Sequence, residues 1–312
     1  MILVSRILNM LHSPVSLRRR IRGGMLGLVV LCAPVICHAE HQIDVQRRSA
    51  EGDHFKALST YQFLPKRGMN ITTRISAAES AWALGYVSQA SRIFDQVLRE
   101  ENLSPEKRAK LLLSRGAIEF QEGRYQESAL FAQRAVESLQ AGSPLRVRAQ
   151  LLWGQALVRG KRYVSAEDIL TKALKDSGAV DRPEIALTIA EVQINLGKLN
   201  DAEKILKVIP ADHEYAGKAV RMLSQIALQK DDTSRARFWL KKGRDNYSDT
   251  FLDSWADFSL ASLALKQGDV DTATRIVEGA RRRYPPSDRW LILIEARLEQ
   301  ELWKERQQGK QR

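Results

Sequence analysis

The chain has almost no cysteine. Its 312 residues include two, Cys32 and Cys37, and both fall within the first 39 residues. Disulfide frameworks, zinc fingers and thiol nucleophiles all need cysteine, so residues 40–312 can contain none of them. We therefore expect the fold to be stabilised by packing alone.

Catalytic sequence motifs are also absent. The chain contains no HExxH, GxSxG, GxxxxGK[ST] or GxGxxG segment, the patterns that mark zinc proteases, serine hydrolases and nucleotide-binding loops. Three histidines follow residue 39, too far apart to form a recognised ligand motif: His41, His54 and His213. Two close acid pairs fall where helices are expected to start, where acids commonly act as caps: Glu51 with Asp53, and Asp231 with Asp232. The sequence therefore predicts no catalytic residue, no metal site and no cofactor.

The N-terminal segment has no acid. Its 39 residues contain five arginines, an apolar run at residues 25–36, and then the small residues Cys37 and Ala39. This order predicts a secretory signal peptide, residues 1–39, cleaved after Ala39, and a periplasmic protein. The apolar run is shorter than the roughly 20 residues that span a bilayer. A retained membrane anchor and a mitochondrial presequence are the alternatives that fit the same composition.

The remaining residues are mildly basic. Subtracting the five leader arginines from the formal net charge of +12 leaves +7. Such a surface favours acidic partners over basic ones. It does not by itself predict nucleic-acid binding.

A short pattern recurs seven times after the leader. In GRYQESALFAQRAV, which starts at Gly123, a small residue lies five positions after the glycine. The seven starting residues are Gly52, Gly85, Gly123, Lys161, Gly197, Asp231 and Gly268. The seven small residues are Ala57, Ala90, Ser128, Ala166, Ala202, Ala236 and Ala273, at intervals of 33, 38, 38, 36, 34 and 37. A period in the thirties indicates an array of helical hairpins.

Each position of the pattern has a physical role. Glycine ends the first helix because it adopts the left-handed conformation cheaply. An aromatic or aliphatic residue two positions later fills the turn, as at Tyr125 and Tyr163. The small residue lets the two helices approach closely, and an apolar residue four positions later faces the core. These predicted core residues are Phe94, Leu170, Leu206, Leu240 and Val277.

Proline usage supports the same boundaries. Seven prolines follow the leader and all fall between the predicted repeats: Pro65, Pro105, Pro144, Pro183, Pro210, Pro285 and Pro286. Ser104-Pro105 and Ser143-Pro144 predict an N-cap followed by the first residue of a helix. After the array, residues 287–304 predict a final helix capped by Ser287, with Leu291, Ile294, Leu298 and Leu302 on one face. Residues 305–312 are predicted to be a disordered basic tail.

The repeat resembles the tetratricopeptide repeat family over residues 41–286. LLWGQALVRGKRYVSAEDILTKAL, residues 151–174, is the most similar copy. The resemblance implies an all-α fold: a right-handed α-solenoid of antiparallel helix pairs, with about seven hairpins over residues 40–286 and a C-terminal capping helix. The chain departs from the family pattern at Arg115 before Gly116 and at Asp231, which replaces a turn glycine.

The resemblance also implies a binding surface, because the first helices of successive repeats line a concave groove in this family. By that register, Leu151, Glu184 and Leu187 lie in the groove. The residues expected to bind a partner are Trp82, Lys110, Phe120, Arg148, Arg159, Glu191, Lys218, Arg221, Trp255 and Phe258. This is an apolar floor with mainly basic charges, which suits another protein or an acidic extended peptide.

The expected function is that of a non-enzymatic scaffold or adaptor in a cell-envelope assembly, such as a pilus, a secretion machine or exopolysaccharide export. The alternative is direct binding of an anionic polysaccharide or another acidic polymer along the basic groove. No nucleic-acid partner is expected. Contact with a membrane is expected only if the leader is retained.

Overall fold

The computed structural model describes residues 33–310, in which fifteen α-helices and no strand occur. Most of the predicted signal peptide, residues 1–32, and residues 311–312 lie outside this range. The first seven helices are α1 (Ala33–Ala50), α2 (His54–Phe63), α3 (Ile71–Ala83), α4 (Val87–Leu98), α5 (Pro105–Gln121), α6 (Tyr125–Glu137) and α7 (Pro144–Arg159). The others are α8 (Tyr163–Asp176), α9 (Arg182–Asn195), α10 (Leu199–Leu206), α11 (Ala216–Gln229), α12 (Thr233–Asn246), α13 (Trp255–Lys266), α14 (Val270–Arg283) and α15 (Arg289–Lys310).

The chain divides into two compact units, Met1–Gly160 and Lys161–Arg312. In the first unit, the hairpins α1–α2, α3–α4 and α5–α6 stack in order, and α7 packs on α5 and α6. In the second unit, α8 packs on α9, the hairpins α9–α10, α11–α12 and α13–α14 follow, and α15 packs on α13 and α14. The predicted class, an all-α repeat fold of antiparallel helix pairs, is confirmed.

The seven predicted turn positions all adopt the left-handed conformation. The five glycines have φ between 75° and 82°. Lys161 and Asp231 have φ of 58° and are the two non-glycine residues with positive φ in the described part of the chain. The turn geometry therefore persists where the glycine is missing, at a local strain cost of about 1–2 kcal/mol for each residue.

The predicted helix-crossing and core positions are buried. All seven small residues of the repeat have no exposed surface. Of the five larger core residues, Phe94, Leu170 and Leu240 are fully buried, and Leu206 and Val277 are 1% exposed. Close approach of the paired helices thus depends on a small side chain at each crossing.

Both predicted N-caps lie where expected, but only one of them caps its helix with a side-chain hydrogen bond. Pro105 and Pro144 begin α5 and α7. The Ser104 hydroxyl accepts a hydrogen bond from the Lys107 amide at 3.3 Å. The Ser143 side chain makes no capping hydrogen bond. Its backbone carbonyl instead accepts from the amides of Arg146 and Val147, at 2.9 and 3.2 Å.

The C-terminal helix differs from its prediction at both ends. It begins at Arg289, because Asp288 and not Ser287 accepts hydrogen bonds from the amides of Trp290 and Leu291. It continues to Lys310, so residues 305–310 extend the helix that was expected to give way to a disordered tail. The apolar stripe is correct, since Leu291, Ile294 and Leu298 are at most 6% exposed and pack against α13 and α14.

Helix α1 includes the predicted cleavage point and continues into the first hairpin. Beyond that point, Gln42 accepts a hydrogen bond from the Asn70 amide at 2.8 Å, and Val45 is fully buried. Residues 40–50 would therefore keep these contacts with the neighbouring hairpin after cleavage. Within residues 33–310, no helix combines the length and the apolar character needed to cross a membrane.

Candidate interaction surfaces

Some first helices of neighbouring hairpins pack on each other within a unit. In the first unit α5 packs on α7, and in the second α9 packs on α11. Lys110 on α5 and Arg148 on α7 are 38 residues apart, the local repeat interval. They therefore occupy equivalent positions on adjacent helices. The Lys110 side chain is 42% exposed, with its Nζ 3.4 Å from the Glu106 carboxylate, and Arg148 is half-buried.

The two tryptophans assigned to the groove are buried. Trp82 is 4% exposed and its Nε1 donates a hydrogen bond to the Gln121 Oε1 at 2.8 Å. Trp255 is 8% exposed. The half-buried Phe258 packs against the Trp290 ring at a centroid distance of 5.0 Å. The fold covers Trp82 and Trp255, which leaves little of either side chain for a partner to contact, and their role in the groove stays a prediction.

Arg221 is held in place by its own chain. Its two terminal nitrogens lie 3.1 Å from the two carboxylate oxygens of Asp253. Its guanidinium carbon lies 4.7 Å from the Trp255 ring centroid and 5.6 Å from that of Phe251. A bidentate pair stacked on two aromatic rings joins α11 to the segment before α13. Arg221 therefore has a structural role, and its assignment to the partner-binding groove stays a prediction.

The remaining predicted residues occur in two separate groups. In the first unit, the half-buried Phe120 meets Tyr125 edge-on at 5.4 Å, and Arg159 lies over the same Tyr125 ring at 5.7 Å. In the second unit, Lys218 is exposed and its Nζ lies 5.2 Å from the centroid of the Tyr215 ring. Glu191 is exposed as well. Lys110, Phe120, Arg148 and Arg159 are thus the predicted site residues on α5 and α7 that remain at least partly exposed.

A buried ion network explains the unusual Arg115. This side chain donates to the carboxylates of Asp95 and Glu119, each at 2.7 Å, and lies 4.9 Å from the Phe131 ring centroid. Glu119 also accepts from Arg124. Burial alone would raise the pKa of Glu119, but the hydrogen bonds from Arg124 and Arg115 outweigh it and hold the pKa below its usual range. This network was not predicted from the sequence. The available signal was the spacing of Arg115 and Glu119, four residues apart in one helix.

Glu203 plays a similar part in the second unit. It accepts hydrogen bonds from Lys207, Lys230 and Arg235, at 2.8, 2.7 and 3.1 Å. The bonds from Lys207 and Lys230 lower the pKa of this carboxylate to about 2, against an opposing contribution from burial. Glu203 therefore stays ionised near neutral pH and joins α10 to α11 and α12. Its role is structural, since its three cations come from the fold itself.

One acid of each pair noted in the sequence acts as a helix cap. Asp53 accepts from the Lys56 amide at the start of α2, and Asp232 from the Arg235 amide at the start of α12. Asp231 forms an ion pair with Lys266 at 2.6 Å. No group of three His, Cys, Asp or Glu side chains in residues 33–310 is placed to hold a metal ion.

The helical hairpins repeat along the chain, and the acids described above act in helix caps and ion pairs. This arrangement is typical of a repeat scaffold. Family models of the tetratricopeptide repeat match residues 75–144 and 157–216. The chain belongs to the tetratricopeptide repeat family, whose members are generally non-enzymatic and bind other proteins or peptides.

Solved structures agree on the fold. The apo form of RapI is 13% identical, with 81% of this chain and 87% of that chain covered and a TM-score of 0.60. PilW, described as a widely conserved type IV pilus biogenesis factor, is 16% identical, with coverages of 72% and 97% and a TM-score of 0.57. PilF of Pseudomonas aeruginosa is 15% identical, with coverages of 68% and 94% and a TM-score of 0.53. No curated protein sequence matches the chain.

Proposed function

We propose that the protein is exported to the periplasm and serves there as a scaffold in a cell-envelope assembly. The observation that carries the binding part is the pair Lys110 and Arg148, two cations at equivalent positions on the adjacent helices α5 and α7. The observation behind export is the acid-free leader with its short apolar run. A pilus biogenesis factor, PilW, has a similar fold, which makes pilus-type assemblies the first to examine.

The geometry of α5 and α7 favours an extended, acidic partner segment. Packed helices lie roughly 8–10 Å apart. An extended peptide advances about 3.3 Å per residue, so it would place acids about three residues apart beside Lys110 and Arg148. On α5 the half-buried Phe120, ten residues after Lys110, adds apolar surface. The partner we infer is thus a protein segment with spaced carboxylates and apolar residues between them.

Two other functions have less support. A polysaccharide bound along a continuous basic groove would need Arg221, but that side chain pairs with Asp253. Catalysis would need a carboxylate free to exchange protons in a cleft. Asp53 and Asp232 act as caps, and Glu119 and Glu203 lie in ion networks. We therefore propose that the protein is not an enzyme.

Charge reversal on the first-helix face tests the binding role. Lys110→Glu combined with Arg148→Glu is expected to weaken capture of the partner from the host envelope by at least about ten-fold, because like charges then face its carboxylates. The measurement is quantitative co-purification with the tagged protein, normalised to the amount of tagged protein.

A matched control uses two other exposed cations of the first unit, Lys66→Glu with Arg92→Glu. Both double variants should retain the helical content of the original protein by circular dichroism. Undiminished capture by the Lys110/Arg148 variant, or equal loss in the control, would contradict the proposed surface.

A further inference from the structure

An open cleft of about 570 Å³ lies in the first unit, between the C-terminal ends of α4 and α6 and above the start of α5. Leu98, Leu112 and Phe131 provide its apolar surface. Arg99, Arg108 and Arg134 provide its cations. The volume falls within the range of sites that bind small molecules or single side chains of a partner.

Two of the three arginines are available to a ligand. Arg108 donates to the backbone carbonyls of Leu98 and Glu100, each at 3.0 Å, and so fixes the end of α4. The side chains of Arg99 and Arg134 make no hydrogen bond or ion pair with any residue between 33 and 310.

The two acids of the cleft, Asp95 and Glu137, each accept a hydrogen bond from the protein, but only Asp95 is paired with a cation. Asp95 accepts from Arg115, at 2.7 Å. Glu137 accepts from Gln133, at 2.9 Å. The Gln133 amide is neutral, so Glu137 keeps its charge, but the three arginines outnumber the two acids of the lining. Net positive charge therefore lies beside apolar surface, which favours an anionic ligand with an apolar part.

The cleft is distinct from the surface that carries Lys110. Arg108 and Leu112, four residues apart on α5, lie on one side of that helix. Lys110 is two residues after Arg108 and therefore lies about 200° around the helix axis. A ligand in the cleft and a peptide against Lys110 would contact opposite sides of α5.

The chemistry of the cleft is not a general property of the repeat. At the interval of 38 residues, the position of Leu112 is taken by Gln150 and that of Arg99 by Glu137. Arg108, in contrast, recurs as Arg146, which also donates to the carbonyls at the end of the preceding helix. The structural arginine is thus repeated, while the apolar residue and the unpaired cation are not.

We propose that this cleft binds an acidic peptide segment of a second protein partner. One apolar side chain of the peptide packs on Leu98, Leu112 and Phe131, and carboxylates on either side accept hydrogen bonds from Arg99 and Arg134. Guanidinium groups suit carboxylates because they donate two parallel hydrogen bonds. A free inorganic anion would leave the apolar surface unused, and a flat lipid surface cannot enter the cleft. The protein would then hold two partners, one on each side of α5.

The test uses the purified full chain and a fluorescently labelled peptide, Glu-Glu-Leu-Glu-Glu, followed by fluorescence polarisation. Arg99→Glu with Arg134→Glu is expected to weaken binding of this peptide by at least about ten-fold, since each charge-assisted hydrogen bond contributes strongly. Lys66→Glu with Arg67→Glu, two exposed cations in the loop between α2 and α3 and outside both binding surfaces, should leave its affinity within about two-fold. Replacing the peptide leucine with alanine should also weaken binding.

Three results would overturn the proposal: no binding of the labelled peptide, equal binding by the Arg99/Arg134 variant, or a loss confined to the Lys110/Arg148 variant. Equal affinity for the leucine and alanine peptides would show that the apolar surface takes no part in binding, and this result would also overturn the proposal. The Arg99/Arg134 and Lys110/Arg148 variants change separate surfaces of α5, so comparing them shows which surface holds the peptide, and either proposal can fail without the other.

Discussion

Replacing Phe94 with alanine is expected to lower the free energy of unfolding by about 4 kcal/mol. Phe94 is fully buried and packs in one cluster with Leu58 of α2 and with Leu111 and Ile118 of α5. The substitution removes apolar contacts and leaves a cavity among three successive hairpins. Because protein interiors are densely packed, the surrounding side chains can fill only part of this cavity. Urea unfolding followed by circular dichroism measures the change.

Phe63→Ala is the matched control for Phe94→Ala. Phe63 is 85% exposed at the end of α2, so its truncation is expected to change the unfolding free energy by about 0.5 kcal/mol or less. Similar losses for the two variants would show that the burial pattern of the first unit is wrong. A large loss at Phe63 alone would place the core on the opposite side of the hairpin.

Gly243→Ala is expected to destabilise the protein by about 3 kcal/mol through overpacking. A Cβ at this position in α12 would lie 2.1 Å from the Phe251 Cζ and within 2.6 Å of both Cε atoms. Phe251 is 3% exposed and packs beside Trp255, so its ring has little room to move. The steric cost exceeds the gain of roughly 1 kcal/mol that alanine brings to a helix interior. Thermal or urea unfolding provides the measurement.

Gly279→Ala isolates the helix-propensity contribution. A Cβ at this position in α14 would meet its nearest atom, on the Arg283 side chain, at 3.6 Å. That distance is ordinary contact, so this variant is expected to be more stable by about 0.5–1 kcal/mol. If both glycine variants stabilised the protein, the close approach of α12 to Phe251 would be wrong.

The hairpins were predictable from sequence because their determinants are local. A turn residue and a small residue five positions later lie within one hairpin, so their spacing survives in the chain. Lys161 and Asp231 show how strong this constraint is: both adopt φ of 58° although neither is glycine. The end of α15 was missed because the leucine stripe stops at Leu302, while Arg306 donates to the Leu302 carbonyl and the helix continues.

The binding surfaces were less predictable because they depend on contacts between residues far apart in sequence. Register placed Arg221 on a first helix correctly, but Asp253, which holds it, lies 32 residues later in a loop. The fully buried Asp257 is another such case, since it accepts from Arg244 and Arg283 of two other helices. The cleft combines residues of α4, α5 and α6, and no sequence motif joins Arg99, Leu112 and Arg134.

Site-specific photocrosslinking in the native host can show whether the first-helix face of α5 and α7 holds a protein partner. A photoreactive amino acid is placed at position 110 or 148, and at the exposed position of Phe55 on α2 as the comparison. We expect one and the same envelope protein to be crosslinked from 110 and 148 and not from 55. Crosslinking of that protein from 55 alone, or no product from 110 and 148 while the photoreactive protein remains folded, would contradict it.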